Sequence, residues 1–207
     1  TGSRAVRLPL PGADLPGVFA YRTMADVRGM LWAARGARHA AVIGGGLLGL
    51  EAAACLFRRG LRVTVVHPLG WPMERQLCQT SGGLLTGWLR RGGIDFAMPA
   101  ATAAIEGDGR AERVRLADGR AVPAGIVVMA VGVRADNSLA VASGLGVGRA
   151  AVVDDAMRTA DPDVFAVGEC AEHRGVVAGL VAPCFAMAET AAAVISPNKA
   201  APRRTAR

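Results

Sequence analysis

Hydrophobic residues along this chain alternate between short continuous runs and repeats at helical spacing. His39–Ile43 forms one apolar run, Leu50–Arg59 has the pattern of a helix that ends at Gly60, and Leu61–His67 forms the next run. Continuous apolar runs are typical of strands buried on both faces. Because crossover connections are right-handed, the pattern predicts a strand–helix–strand unit with parallel strands.

The flanking segments extend this unit into a larger sheet. Thr23, with Asp26 three residues later, is a helix-start signature, and apolar residues recur at helical spacing from there to Gly36. Two further strands and one further helix are predicted over Ile94–Met98, Ile126–Val131 and Ser81–Arg91.

Residues 101–123 follow a different pattern, with short alternating runs around glycine turns, which predicts an antiparallel β-meander. Beyond Gly132 the pattern weakens. Val152–Asp154 and Val164–Val167 are predicted to be short strands, and Pro183–Ile195 a helix with proline at its start. The predicted fold class is therefore α/β, with a Rossmann-like unit that combines a parallel sheet and an antiparallel meander.

Composition and charge narrow the class of protein. The chain has 207 residues, 52% of them apolar, which suits one or two globular domains. Its 24 Lys and Arg against 17 Asp and Glu give a net charge of +7, but the last part of the chain supplies four of these charges through Lys199, Arg203, Arg204 and Arg207. We therefore predict a disordered basic tail over residues 196–207 and no nucleic-acid partner.

The chain lacks the sequence features of membrane and metal proteins. Glu51 interrupts the longest apolar stretch and the start does not resemble a signal peptide, so we expect no membrane partner and a cytoplasmic location. None of the four cysteines stands in a C-x-x-C pair, which argues against a zinc or iron–sulfur site in this chain.

The glycine motif between the first strand and helix carries the clearest chemistry. Gly44 permits a tight turn, Gly46 lets a pyrophosphate approach the backbone, and Gly49 lets helix and strand pack closely. The free N–H groups and the positive end of the helix dipole then face the phosphates. The motif predicts dinucleotide binding.

Neighbouring residues leave the choice of nucleotide open. His67 stands where an acidic residue usually binds the ribose of NAD, so it would bind ribose hydroxyls, attract a 2′-phosphate when protonated, or simply end a strand in water. Arg75 could meet a 2′-phosphate, although Glu74 offsets its charge.

Glu51, placed in the first turn of the helix, either complements the helix dipole or lies near the nicotinamide. His173 has no partner pattern and is predicted to be structural or solvent-facing.

Several stretches, in this order, resemble the pyridine-nucleotide, FAD-dependent oxidoreductases, which insert an NAD(P)-binding domain between two halves of an FAD-binding domain. They are Thr1-Gly2-Ser3, residues 42–51, residues 127–132 and residues 159–169. Within that group, residues 66–68, 73–77, 152–159 and 168–175 resemble the large subunit of assimilatory NAD(P)H nitrite reductase. The resemblance extends to about residue 195.

The resemblance implies a domain organisation and a set of cofactor-binding residues. Residues 1–22 would end the first FAD-domain segment, 23–133 would form the NAD(P)-binding domain, and 134–195 the second FAD-domain segment. The implied NAD(P)H residues are Gly44, Gly46, Gly49, Glu51 and Gly132, together with His67 at the strand end. The implied FAD residues are Thr1, Gly2, Gly168 and Glu169, of which the last would accept hydrogen bonds from the ribityl chain.

The resemblance also implies an activity for a longer protein. Hydride would pass from NAD(P)H to FAD, and electrons would pass onward through iron–sulfur centres and siroheme to nitrite. The first FAD glycine motif would lie upstream of Thr1, and the iron–sulfur and siroheme parts downstream. The partners would be the electron-acceptor domains or subunit.

Two other functions remain open from the sequence. One is an FAD-dependent NAD(P)H reductase for a rubredoxin or ferredoxin, which shares the two-domain layout. The other is a catalytically silent nucleotide-binding fragment.

Overall fold

The computed structural model describes residues 2–196; Thr1 and most of the predicted tail, residues 197–207, lie outside the described residues. The chain divides into two compact units, one of residues 5–132 and the other of residues 2–4 with residues 133–196. The larger unit contains the glycine motif, and the smaller unit contains Gly168 and Glu169.

The described residues form thirteen β-strands and five α-helices, numbered β1 to β13 and α1 to α5 in chain order. The first part contains β1 (Ser3–Ala5), β2 (Val18–Ala20), α1 (Met24–Ala33), β3 (His39–Ile43), α2 (Leu47–Phe57), β4 (Arg62–Val66), α3 (Gln79–Arg91) and β5 (Ile94–Ala97). The second contains β6 (Thr102–Glu106), β7 (Arg113–Leu116), β8 (Ala121–Pro123), β9 (Ile126–Met129), β10 (Val133–Ala135) and α4 (Ser138–Ala142). The last contains β11 (Ala151–Val153), a 3₁₀ turn (Gly168–Cys170), β12 (Ala171–His173), β13 (Val176–Val177) and α5 (Val181–Ile195).

A five-stranded parallel sheet in the order β2-β9-β3-β4-β5 forms the centre of the larger unit. Alternate residues of its strands face opposite ways, so Val42 and Val128 pack with helix α2 while Ile43 and Met129 pack with the antiparallel sheet β6-β7-β8. Both faces are thereby covered, which explains why the strands are continuously apolar. The predicted α/β fold with parallel sheet and meander is confirmed.

Helix α1 begins at the residue that the sequence predicts. Thr23 Oγ1 accepts a hydrogen bond from Asp26 N–H at 3.2 Å, and Asp26 Oδ2 accepts one from Thr23 N–H at 2.7 Å. This reciprocal capping box satisfies two N–H groups that the start of a helix would otherwise leave without partners. The helix ends at Ala33, three residues before the predicted end at Gly36.

The smaller unit pairs β1 with β10 and orders its other strands β11-β12-β13. Its core contains Val153, Met157, Ala171 and Ala191.

Two expectations for the smaller unit need correction. The predicted strand over Val164–Val167 is wrong, because only a single bridge joins Phe165 to Arg158 there. Helix α5 starts at Val181, so Pro183 is its third residue rather than its first. The sequence also missed the short elements β1, β10, α4, β12 and β13, which are too brief to show a period.

Neither membrane nor metal signatures appear in the part of the chain that the structure describes. Within residues 2–196 no helix combines the length and the apolar character needed to cross a bilayer. The same residues contain no cluster of three or more His, Cys, Asp or Glu side chains arranged to hold a metal ion.

The capping box of α1 gives a stability prediction. Thr23→Ala removes the side-chain acceptor, so we expect the free energy of unfolding to fall by about 1 kcal/mol in urea titrations. Thr23→Ser keeps the hydroxyl and should lose much less. Equal losses for the two variants would contradict a capping role for Thr23.

Candidate functional site

The turn between β3 and α2 brings three glycines together, each for a different physical reason. Gly44 has a φ of +117°, and a Cβ there would lie 2.3 Å from the carbonyl oxygen of Ala130. A Cβ on Gly49 would lie 2.0 Å from the carbonyl oxygen of Gly44. Gly46 has open space around it. The first two glycines therefore let chain segments approach closely, while the third leaves the turn accessible from outside.

Helix α2 presents its N-terminus at this turn. Gly46 is the N-cap residue and provides no side-chain cap. Its carbonyl accepts the first helical hydrogen bond, from Leu50 N–H at 3.0 Å. The N–H groups at the start of an α-helix have no partner within the helix. Combined with the positive end of the helix dipole, they make the turn suited to a phosphate group.

His67 is buried and contacts the glycine turn. The residue is 5% exposed, and its Nδ1 accepts a hydrogen bond from Gly45 N–H at 3.1 Å. Its Nε2 lies 3.3 Å from Glu74 Oε2 but outside hydrogen-bond geometry, and it has no other hydrogen-bond partner among the described residues. Of the three interpretations left open by the sequence, a strand end in water does not match this environment.

The loop after β4 folds back onto the same turn. Met73 N–H donates to the Gly45 carbonyl at 2.9 Å, and Met73 itself has a left-handed φ of +59°. The N–H groups of Gln76 and Leu77 both donate to the Met73 carbonyl at 2.8 Å, which closes a compact turn. Glu74 is thereby placed beside His67, a proximity that the sequence did not predict.

Glu51 is exposed and lies further along helix α2 than expected. The helix begins at Leu47 rather than Leu50, so Glu51 is its fifth residue, and the expectation that it lies in the first turn is wrong. This position weakens the simple explanation from the helix dipole, which acts mainly within the first turn. Glu51 instead lies near Tyr21, just beyond β2: burial and then the Glu51 carboxylate raise the pKa of the Tyr21 phenol.

Gly132 occupies the same edge of the sheet, because it follows the end of β9 at Met129. It has a φ of +107°, and its carbonyl accepts a hydrogen bond from Val6 N–H at 3.0 Å. The six predicted nucleotide-site residues of the larger unit thus all follow the carboxyl ends of parallel strands, where α/β sheets bind ligands.

In the smaller unit, Ser3, from an early segment of the chain, contacts Glu169. Ser3 Oγ donates a hydrogen bond to Glu169 Oε2 at 2.5 Å, although 166 positions separate the two residues. Gly168 has a φ of +78°, a conformation that side chains disfavour. Gly2 adjoins Ser3 and is also in the left-handed region, at +76°. Three of the four predicted FAD residues are therefore close in the chain to this contact, and the fourth, Thr1, lies outside the described residues.

A second polar cluster of the smaller unit contains His173. Asp155 accepts hydrogen bonds from Arg174 Nε and Nη2 at 2.9 and 2.6 Å and lies 2.8 Å from His173 Nε2. The Arg174 contacts, followed by the His173 contact, lower the pKa of the Asp155 carboxyl to about 2. His173 thus has a partner that its sequence surroundings did not indicate.

Comparison with known proteins identifies the family. Residues 1–192 match the pyridine nucleotide-disulphide oxidoreductases, and this chain belongs to that family. It is 48% identical over 192 residues to a nitrite reductase [NAD(P)H] of Bacillus subtilis, covering 93% of this chain and 24% of the relative. It is 36% identical to rhodocoxin reductase of Rhodococcus erythropolis, covering 84% of this chain and 41% of that protein.

A solved structure gives the same result for the fold. The structure of an NAD-dependent persulfide reductase from A. fulgidus superposes on this chain with a TM-score of 0.90 at 27% sequence identity. The superposition covers 95% of this chain and 38% of the persulfide reductase chain. The chain thus spans about a quarter of the length of the nitrite reductase that it matches.

The close contact at Gly49 gives a second stability prediction. Gly49→Ala places a methyl group against the Gly44 carbonyl, so we expect a loss of about 1–3 kcal/mol in urea unfolding. Gly83→Ala is the matched control, because Gly83 lies inside α3 with open space around it and alanine favours helices. A Gly49→Ala variant as stable as this control would contradict the close-packing role.

Proposed function

We propose that this chain provides the NAD(P)H-binding site and part of the FAD-binding site of an FAD-dependent oxidoreductase of the nitrite reductase type. In the longer protein, hydride passes from NAD(P)H to FAD and electrons continue to nitrite through further acceptor domains. The observation that carries the proposal is the open Gly46 at the uncapped N-terminus of α2. The higher identity to nitrite reductase than to rhodocoxin reductase supports the choice of acceptor.

The residues of the larger unit bind and orient the dinucleotide in this proposal. The pyrophosphate lies against Gly46 and accepts hydrogen bonds from the first N–H groups of α2. Gly44 and Gly49 hold the turn and helix in place, and Gly132 continues the same edge. Glu51, just beyond the first turn of the helix, lies on the nicotinamide side. Residues 5–132 carry 15 arginines and 9 carboxylates, an excess of six positive charges that favours an anionic ligand.

The smaller unit contributes residues for FAD. The Glu169 carboxylate already accepts a hydrogen bond from a hydroxyl group, that of Ser3, which is the chemistry that the ribityl hydroxyls of FAD require. Gly168 and Gly2 keep side chains away from the adjoining backbone. When bound, the flavin supplies the hydride acceptor, and the residues named here hold and orient it.

The family layout assigns residues 23–133 to NAD(P)H and residues 1–22 and 134–195 to the FAD domain. We propose this layout with an earlier first limit, near residue 4, because residues 5–22 belong to the larger unit and β2 is a strand of its parallel sheet. We also propose a cytoplasmic location and a role in nitrate assimilation.

Binding of the nucleotide tests the proposal directly. Titration of the chain with NADH and with NADPH by calorimetry should show saturable binding of at least one. Gly46→Ala should fold normally, because Gly46 is open and has an extended φ of −79°, yet weaken binding at least tenfold, since its methyl group occupies the pyrophosphate position. Gly83→Ala should bind as the unchanged chain does. The proposal fails if neither nucleotide binds.

The alternative functions separate by further measurements. A reductase for rubredoxin or ferredoxin predicts that the longer protein reduces such an acceptor and not nitrite. A silent nucleotide-binding fragment predicts that NADH binds without any diaphorase activity when FAD and an artificial acceptor are supplied.

A further inference from the structure

We propose that Glu74 provides the carboxylate that binds the adenosine ribose, and that the site therefore selects NADH over NADPH, with His67 as the residue that positions Glu74. This inference rests on the proposed function, because it names the nucleotide that the same site accepts. The sequence alone left this choice open.

The position that usually carries the ribose-binding acid is occupied by a side chain that cannot reach the ligand. His67 directly follows β4, but its side chain is only 7% exposed and its Nδ1 already accepts the Gly45 N–H. A ring whose Nδ1 accepts a hydrogen bond is the neutral tautomer with its proton on Nε2. A ring with a proton on both nitrogens could not accept the Gly45 N–H. The observed hydrogen bond is therefore incompatible with a positively charged His67 that attracts a 2′-phosphate.

The residue that we propose takes over this role lies beside the Nε2 atom of His67. Nε2 is buried and lies 3.3 Å from Glu74 Oε2, outside hydrogen-bond geometry. The ring and the carboxylate are therefore in close polar contact, but His67 does not form a hydrogen bond to Glu74. The Glu74 side chain is 27% exposed, so its oxygens remain able to accept hydrogen bonds from a ligand.

Two hydrogen bonds to one residue hold this arrangement beside the glycine turn. Gly45 donates its N–H to His67 and accepts the N–H of Met73 through its carbonyl. Gly45 directly precedes the open Gly46, against which the pyrophosphate lies. The strand end, the loop and the phosphate site are thus joined at one point, which places the Glu74 carboxylate where the ribose follows the pyrophosphate.

A carboxylate at this place distinguishes the two nucleotides by charge. It accepts hydrogen bonds from the ribose hydroxyls of NADH, and it repels the 2′-phosphate that replaces one hydroxyl in NADPH. Arg75 is exposed and would act in the opposite direction. The Glu74 carboxylate dominates in our proposal because its neighbours hold it against the turn.

The experiment measures dissociation constants of NADH and NADPH for the whole 207-residue chain by calorimetry. The unchanged chain should bind NADH at least tenfold more tightly than NADPH. Glu74→Gln keeps the size of the side chain and removes its charge, so NADH should bind more weakly, NADPH more tightly, and the preference should fall about tenfold. Glu112→Gln, the same change at an exposed site of the same unit, should leave the preference unaltered.

Two further variants test the supporting roles. His67→Asn keeps an acceptor for the Gly45 N–H but removes the ring nitrogen that lies beside Glu74, so it should fold and reduce the preference for NADH by severalfold. Arg75→Gln should strengthen the preference for NADH only slightly.

The possible failures are distinct. A chain that binds both nucleotides equally, or prefers NADPH, overturns the selection of NADH. An unchanged preference in Glu74→Gln overturns the role of that residue. Absence of binding by either nucleotide overturns the proposed function, and with it this inference.

Discussion

The close approach of three backbone segments at the glycine turn is the constraint on which the larger unit depends. Helix α2 crosses the sheet near Gly44, where a Cβ at Gly49 or Gly44 would overlap a carbonyl oxygen. Ala52 and Ala53, the next residues on the buried face of α2, are also small and fully buried. Because the helix lies this close to the strands, its N-terminus opens directly at their carboxyl ends, and the candidate site exists only under that condition.

Gly45 links the rest of the site to this contact. The backbone N–H and carbonyl of Gly45 bind His67 and Met73, which both lie in the segment after β4 and are at least 22 positions from Gly45 in sequence. A Cβ at Gly45 would approach the His67 ring to 2.9 Å, so the position also requires a small residue. The four residues from Gly44 to Leu47 thus contribute differently. Gly44 allows close packing and Gly45 binds His67 and Met73, whereas Gly46 leaves the turn accessible and Leu47 begins the helix.

Sequence patterns predicted most of the parallel sheet because its strands are long apolar runs between glycine turns. The sequence patterns gave wrong predictions where contacts between distant parts of the chain, and not the local order of apolar residues, determine the structure. Helix α2 starts three residues early, because Leu47 and Leu48 are 60% and 42% exposed and do not show the spacing of a buried face. Val164–Val167 is apolar enough for a strand but lacks a partner strand beyond a single bridge. The approach of Glu74 to His67 depends on the fold of the intervening loop, which no spacing rule encodes.

The two units differ in net charge, and this difference bears on how each would bind an anionic cofactor. Residues 5–132 have six more positive than negative side chains, whereas residues 1–4 and 133–207 together have nine basic side chains and eight carboxylates. The larger unit can attract a dinucleotide by its overall field as well as by the helix terminus. The smaller unit has no such excess, so the flavin binding that we propose for it would depend on directed hydrogen bonds. Glu169 is suited to this role, since a carboxylate accepts hydroxyl groups strongly whatever the net charge around it.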